Sequence, residues 1–221
     1  MIYNIVKKDF ILAKRYLILM LIFAIVGPIF IESKVGFIGG AFLSFFITAF
    51  FIQYMLFNSI SMSEYKYKGS LHLCITPYTR KSLVKGKYVF IVTTFILSSL
   101  IYIGLASLET IDIPFIDMVI SLPMITAKDL GISFLIISAL FGIFIPLQYE
   151  FGYEKTKYIA AIFTFISPFI IPKIVDIVQS RNIGFLNNSI YLDIVPLILA
   201  IIVGVVSMHV STYIYSKKDL Q

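Results

Sequence analysis

The chain alternates long apolar stretches with short polar segments. Six stretches are almost wholly apolar, at residues 16–31, 37–62, 88–108, 130–149, 158–171 and 194–215. A helix needs about 20 apolar residues to cross about 30 Å of hydrocarbon, so these stretches predict membrane-spanning helices, the first and fifth being short. A transmembrane β-barrel would show short segments of alternating polarity instead. The pattern predicts an all-α polytopic membrane protein with six transmembrane helices.

Composition excludes the soluble classes of protein. Of 221 residues, 59% are hydrophobic and 14% are charged, whereas a soluble domain carries about 25% charged residues. A soluble enzyme, a disordered chain and a disulfide scaffold are therefore excluded. Cys74 is the single cysteine, so neither an intrachain disulfide nor a Cys-based zinc cluster is expected. The first apolar stretch lacks a small-residue cleavage site and is interpreted as a retained span.

The basic residues predict the orientation of the spans. Of 18 Lys and Arg, fourteen flank one set of span ends and four flank the other. The positive-inside rule places the larger set, with both termini, in the cytoplasm. Net charge of +6 is thus a signal of sidedness, and no nucleic-acid partner is expected. Five tyrosines fall at the same span ends, where they are expected at headgroup level: Tyr16, Tyr88, Tyr149, Tyr158 and Tyr213.

Three segments outside the apolar stretches lie on the side with more basic residues. At helical spacing, residues 1–15 separate into an apolar and a basic face, with Asp9 and Ile11 as misfits. This pattern favours a helix along the inner leaflet over an extension of the first span. Residues 61–87 form the longest polar stretch, in which Thr79 is positioned to cap a helix leading into the third span. Residues 150–157 form a shorter loop on the same side. Either a docking surface for a soluble partner or a solvated charged loop explains these two loops.

The order of these segments resembles the membrane (permease) subunits of type-2 ATP-binding-cassette exporters, especially the small Gram-positive subfamily and the permeases of bacterial peptide exporters. The resemblance covers nearly the whole chain. It rests on KKDF at residues 7–10, Glu64 followed by TPYTRK at 76–81 and KGKY at 85–88, and PL at 146–147 with FGYEK at 151–155.

The resemblance implies a permease in the bacterial plasma membrane that works with a separate ATPase subunit, a second permease copy or paralogue, and membrane lipids. Residues 61–87 would be the coupling loop, with a coupling helix from Glu64 to His72, and residues 150–157 would form a second contact. The implied ATPase contacts are Glu64, Lys66, Lys68, His72, Tyr78, Arg80, Gly152, Glu154 and Lys155. Residues 167–193 would form short outer-side helices, although an ordinary loop explains Lys173 and Asp176 equally well.

Catalytic and cofactor motifs are missing from the sequence. The nearest match to a phosphate-binding loop is Gly86-Lys87, which is followed by Tyr88 rather than by Ser or Thr. Because the chain lacks a phosphate-binding loop for ATP, hydrolysis is expected in another polypeptide, and neither a cofactor nor a metal is expected. The cores of the first four apolar stretches hold no acidic or basic residue, which disfavours an ion-coupled transporter.

Two alternatives to the permease stay open. An intramembrane hydrolase would use His209 as a base, although a lone histidine in an apolar stretch is more often a packing residue. A non-transporting membrane scaffold or immunity protein would need no ATPase. The passenger of a permease, which is expected to be an amphipathic peptide or a lipid-like molecule, is not fixed by any motif.

Overall fold

The fold consists of long helices and one short hairpin. A computed structural model describes residues 2–67, 78–108, 111–113, 118–120, 122–159, 161–162, 166 and 189–217. Its elements in chain order are helices α1 (Ile2–Leu12) and α2 (Lys14–Lys66), α3 (Arg80–Ala106), strands β1 (Ile111–Ile113) and β2 (Met118–Ile120), and helices α4 (Ala127–Phe151) and α5 (Ser189–Lys217). The two strands pair antiparallel, a hairpin that the apolar pattern did not predict.

Five helical segments of the described chain are long and apolar enough to cross a membrane. They are Lys14–Ser33, Gly40–Lys66, Arg80–Ala106, Ala127–Phe151 and Ile194–Lys217. The prediction of a polytopic helical membrane protein is confirmed. These segments contain the first, fourth and sixth predicted stretches and most of the second and third. The fifth stretch, 158–171, falls mostly outside the described residues. So do residues 167–188 of the expected outer helices, whereas residues 189–193 begin α5.

Helix α2 joins the first two spans through a kink at Gly40. Its φ of 52° and ψ of −150° belong to backbone space that side chains with a Cβ rarely enter. A Cβ added at Gly40 would have no neighbour within 4 Å. The pair Gly36 and Gly40 resembles a helix-contact motif in sequence, but Gly40 serves here as the turn between two spans.

Side-chain caps define where the next two spans begin. The Thr79 hydroxyl accepts a hydrogen bond from the Ser82 amide at 3.2 Å, which satisfies one of the free donors at the start of α3. The predicted cap at Thr79 is therefore confirmed. At the start of α4, Thr126 and Asp129 form a reciprocal capping box.

An aromatic core joins the second and fourth spans. Phe141 of α4 packs edge-on against Phe57, with ring centroids 5.4 Å apart, and against Phe50 at 6.3 Å. Between these two phenylalanines on the same face of α2 lies Gln53, which is 1% exposed. Neither polar atom of the Gln53 side chain has a hydrogen-bond partner among the residues that the structure describes, so this amide opposes folding.

Substitution of Gln53 by Leu is expected to raise the free energy of unfolding by about 1–3 kcal/mol, since it removes two unsatisfied polar atoms at similar volume. Gln148→Leu is the matched control. Its Oε1 accepts a hydrogen bond from Ser61 at 3.2 Å, and its loss should destabilise. Thermal unfolding of the purified protein in detergent measures both variants. A lower melting temperature for Gln53→Leu would contradict the expectation.

Helices α4 and α5 run parallel at close range. The Ser138 hydroxyl donates to the Ala200 carbonyl at 2.8 Å, and the Ser207 hydroxyl donates to the Gly142 carbonyl at 2.6 Å. Small residues at such a contact let two helix backbones approach within a membrane. The two contacts advance in the same direction along both helices, so α4 and α5 end at the same end of the bundle.

Candidate functional site: a charge cluster at the basic end

The termini of five helical segments meet at one end of the bundle, called the basic end below. Lys8 of α1 and Lys87 of α3 both reach Glu64 near the end of α2. The rings of Tyr149 in α4 and Tyr215 in α5 lie 4.7 Å apart. The sequence expectation that the two polar loops adjoin the same end is consistent with these contacts.

Four charged side chains, Lys8, Asp9, Glu64 and Lys87, form a cluster at the basic end. Lys8 Nζ lies 2.8 Å from Glu64 Oε1, and Lys87 Nζ lies 2.8 Å from Glu64 Oε2. Lys8 Nζ also lies 3.0 Å from Asp9 Oδ1. The exposed fractions are 21% for Glu64, 8% for Lys87 and 0% for Asp9. Two acids and two bases balance, so this charge cluster is neutral as a whole.

The charge cluster controls the ionisation of Lys8. Burial by itself would lower the pKa of the Lys8 ammonium, but the adjacent carboxylates of Glu64 and Asp9 outweigh burial and raise that pKa above its ordinary value. Lys8 is therefore held in its charged form. Each carboxylate oxygen of Glu64 accepts a hydrogen bond from one lysine, Lys8 of α1 or Lys87 of α3. Glu64 of α2 therefore connects these three helices.

Helix α1 is seated on α3 beside the charge cluster. A Cβ placed on Gly86 would lie 2.4 Å from Ile5 Cγ2, so only glycine permits the observed approach. Ile5 is 2% exposed and shares a small apolar cluster with Leu83, Val84 and Tyr215. Lys8 points to Glu64, and not to lipid headgroups as the amphipathic pattern suggested, because a partner 56 residues away is invisible on a helical wheel.

The expected ATPase contacts near α3 are partly engaged within the chain. Arg80 Nη1 donates to the backbone carbonyls of Tyr215 at 3.2 Å and Ser216 at 3.0 Å. Its guanidinium also lies 5.9 Å from the Tyr215 ring centroid. Tyr78 packs against the apolar cluster that contains Ile5. Arg80 and Tyr78 thus fix the start of α3 to the end of α5.

The second polar loop contacts the end of α2. Gly152 ends α4 with a φ of 80°, and residues 153–159 form a further helical turn. The rings of Tyr65 and Tyr153 lie 5.7 Å apart, and the Tyr153 hydroxyl donates to Asn58 Oδ1 of α2 at 3.1 Å. Glu154 lies beside the Tyr65 hydroxyl. The structure therefore brings the two predicted contact segments together.

The remaining expected contacts divide into exposed and undescribed residues. Lys66, Glu154 and Lys155 are exposed, and residues 64–66 form the last turn of α2, with Tyr67 as its C-cap. Lys68 and His72 lie outside the described residues, with the rest of the expected coupling helix. Within the part of the chain that the structure describes, no three His, Cys, Asp or Glu side chains group so as to hold a metal ion.

Sequence reasoning missed the partners of Glu64 and of Tyr88. The Tyr88 hydroxyl is hydrogen-bonded to Ser207 at 2.6 Å and to Ser211 at 2.8 Å, so α5 supplies polar partners that the sequence did not indicate. The misfit of Asp9 on the amphipathic face was the available signal of the charge cluster. An acid on the apolar side of a helix needs a buried cation.

The family described as ABC-2 family transporter protein matches residues 4–216 of the chain. That range includes the whole charge cluster and all five helices except the first two residues of α1 and the last residue of α5. No curated protein matches the chain. No solved structure matches it either.

Proposed function

Because this chain belongs to the ABC-2 family of transporter proteins, we propose that it is the permease of an ATP-driven exporter, driven by a separate ATPase subunit at the basic end. Membership makes it a multi-pass membrane component of an ABC transporter. The sidedness of its basic residues supports a cytoplasmic position for the basic end. The proposed location is the bacterial plasma membrane.

The observation that carries this proposal is that both polar segments contact the end of α2, which holds Glu64. Exposed Lys66 follows Glu64 by half a helical turn, and exposed Glu154 adjoins Tyr153, which packs on Tyr65 and donates to Asn58 of α2. A partner that moves these groups would also move Glu64, and through Lys8 and Lys87 it would move α1 and α3. Closure of the ATPase would thereby become rigid-body motion of the spans.

Six spans complete the proposed topology. Helices α4 and α5 both run toward the basic end, as their parallel contacts require. This course supports one further crossing between them, for which residues 158–171 are the apolar stretch available. We propose that two copies, or this chain and a paralogue, line one pathway for an amphipathic peptide or lipid-like passenger.

The hydrolase alternative finds no support at His209. The His209 Nδ1 lies 2.9 Å from the Val205 carbonyl of the preceding helical turn. This contact gives the imidazole ring a hydrogen-bond partner in its own helix and does not orient the ring toward a nucleophile. A membrane scaffold would share the same fold, and only loss or retention of ATPase binding separates it from a permease.

Charge reversal at exposed residues of the basic end tests the ATPase contact. Lys66→Glu and Lys155→Glu are each expected to weaken co-purification of the ATPase subunit by about tenfold, since unfavourable charge at an interface accelerates dissociation. Lys128→Glu is the matched control, because Lys128 lies at the opposite end, in the first turn of α4. Equal ATPase recovery with all three variants would refute the contact.

A further inference from the structure

An apolar groove lies between α3, α4 and α5, away from the charge cluster. Its volume is about 260 Å³, and its walls include Val92 of α3, Phe134 of α4 and Ile201 of α5. Along α5 it extends from residue 200 to residue 208, which corresponds to about 12 Å of helix. Pockets for drug-sized molecules begin at about 300 Å³, so this narrow groove suits a single extended chain.

The rim of the groove is exposed on the surface of the described helices. Val89 and Val92 are 41% and 40% exposed, and Ile201 and Val205 are 58% and 44% exposed. The close approach of α4 and α5 at Ser138 and Gly142 forms the floor, since small side chains leave the space above them open. In a membrane, the acyl chains of lipids would contact such a groove.

Positive charge lies at one end of the groove. Lys85 precedes Val89 by one helical turn on the same face of α3, and Lys81 lies one turn further. Both lysines are exposed, and neither makes an ion pair within the described residues. On α5, exposed His209 lies one turn beyond Val205. An amphiphile with its chain in the groove would place its head beside these three groups.

We infer that this groove binds one acyl chain of an anionic phospholipid, whose phosphate headgroup is held by Lys81 and Lys85 with His209 beside them. The apolar walls of the groove bind the acyl chain. The exposed lysines, at the depth of the lipid headgroups in this proposal, favour an anionic headgroup over a neutral one. This site does not depend on the ATPase or on the direction of transport. It lies among the third, fourth and last spans, and it adds a lipid requirement to the proposed permease.

Lipid retention by the purified full-length chain tests the site. The protein is reconstituted with equal amounts of phosphatidylglycerol and phosphatidylcholine, and native mass spectrometry then measures the lipid that stays bound. Retention of phosphatidylglycerol over phosphatidylcholine is expected. Lys81→Gln and Lys85→Gln should each reduce that preference by about fivefold, the effect of one basic residue near an anionic surface. Lys14→Gln, which removes an exposed lysine at the first span, should leave it unchanged.

A pair of neighbouring valines tests the groove itself. Val205→Phe fills the groove and should abolish retention of the lipid, whereas Val206→Phe alters a 58% exposed side chain outside the groove and should not. Melting temperatures of the variants show whether each one is folded, and the two lysine variants change only exposed side chains. Equal retention of both lipids, or retention by Val205→Phe, would overturn the inference. So would efficient cross-linking of two copies through Val92→Cys, since a second copy would then occupy the groove.

Discussion

Replacement of Glu64 by Gln is expected to lower the free energy of unfolding by about 3 kcal/mol. The substitution leaves Lys87, which is 8% exposed, without a negative partner, and it removes one of the two partners of Lys8. Breaking a buried ion pair from one side costs about 3–5 kcal/mol, and the partial exposure of Glu64 favours the lower value. For a chain of this size such a loss lowers the melting temperature by roughly 6–12 °C.

The measurement is thermal unfolding of the permease alone, without an ATPase. Lys66→Gln is the matched control, because Lys66 is exposed in the same helical turn and should change the stability by about 0.5 kcal/mol or less. The double variant with Lys87→Met should recover part of the loss, since the uncompensated cation is then gone. If Glu64 served only as an ATPase contact, Glu64→Gln would leave the isolated protein as stable as the wild type.

Gly86→Ala is the second substitution with a large expected effect. The added methyl group would lie 2.4 Å from Ile5 Cγ2 and 3.3 Å from Ile5 Cβ. Because a β-branched side chain in a helix has little rotamer freedom, α1 itself must shift, at a cost of about 1–3 kcal/mol. The shift would also draw Lys8 away from Glu64. Faster amide hydrogen exchange in residues 2–12 and a lower melting temperature are the expected readouts.

Gly104→Ala in the same helix is the control for Gly86→Ala. A Cβ at Gly104 has no neighbour within 4 Å, so alanine there should stabilise α3 by about 0.5–1 kcal/mol through helix propensity alone. Ile5→Ala should relieve the clash in the Gly86→Ala background. A finding that both glycine variants stabilise the protein equally would contradict the seating of α1 on α3.

The presence of the spans could be predicted from the sequence because it depends on local quantities. A run of apolar residues long enough to cross hydrocarbon has no other favourable place, which is why the stretch at 130–149 lies within α4 and most of the stretch at 88–108 lies within α3. The cap at Thr79 is equally local, since its hydroxyl bonds an amide three residues away. The number of basic residues beside each span end predicts the orientation of the spans by the same kind of local argument.

The partners within the candidate site depended on the tertiary structure. Glu64 was identified as an important residue, but nothing near it in the sequence indicates Lys8, which is 56 residues away. Gly86 was considered as part of a failed nucleotide motif and of the KGKY segment at 85–88, although its missing side chain is what admits Ile5. The hydrogen bonds from Tyr88 to two serines of α5 were likewise not predictable from its sequence neighbours.

Sequence by itself therefore determined that this protein is a bundle of membrane-spanning helices with a basic end, because hydrophobic length and charge act residue by residue. Only the tertiary structure decided which charges neutralise one another and where helices touch. Those outcomes depend on the relative rotation and separation of helices distant in sequence. Lys87, which is paired with Glu64, and Lys85, which is exposed, are two positions apart in the sequence, and composition does not distinguish them.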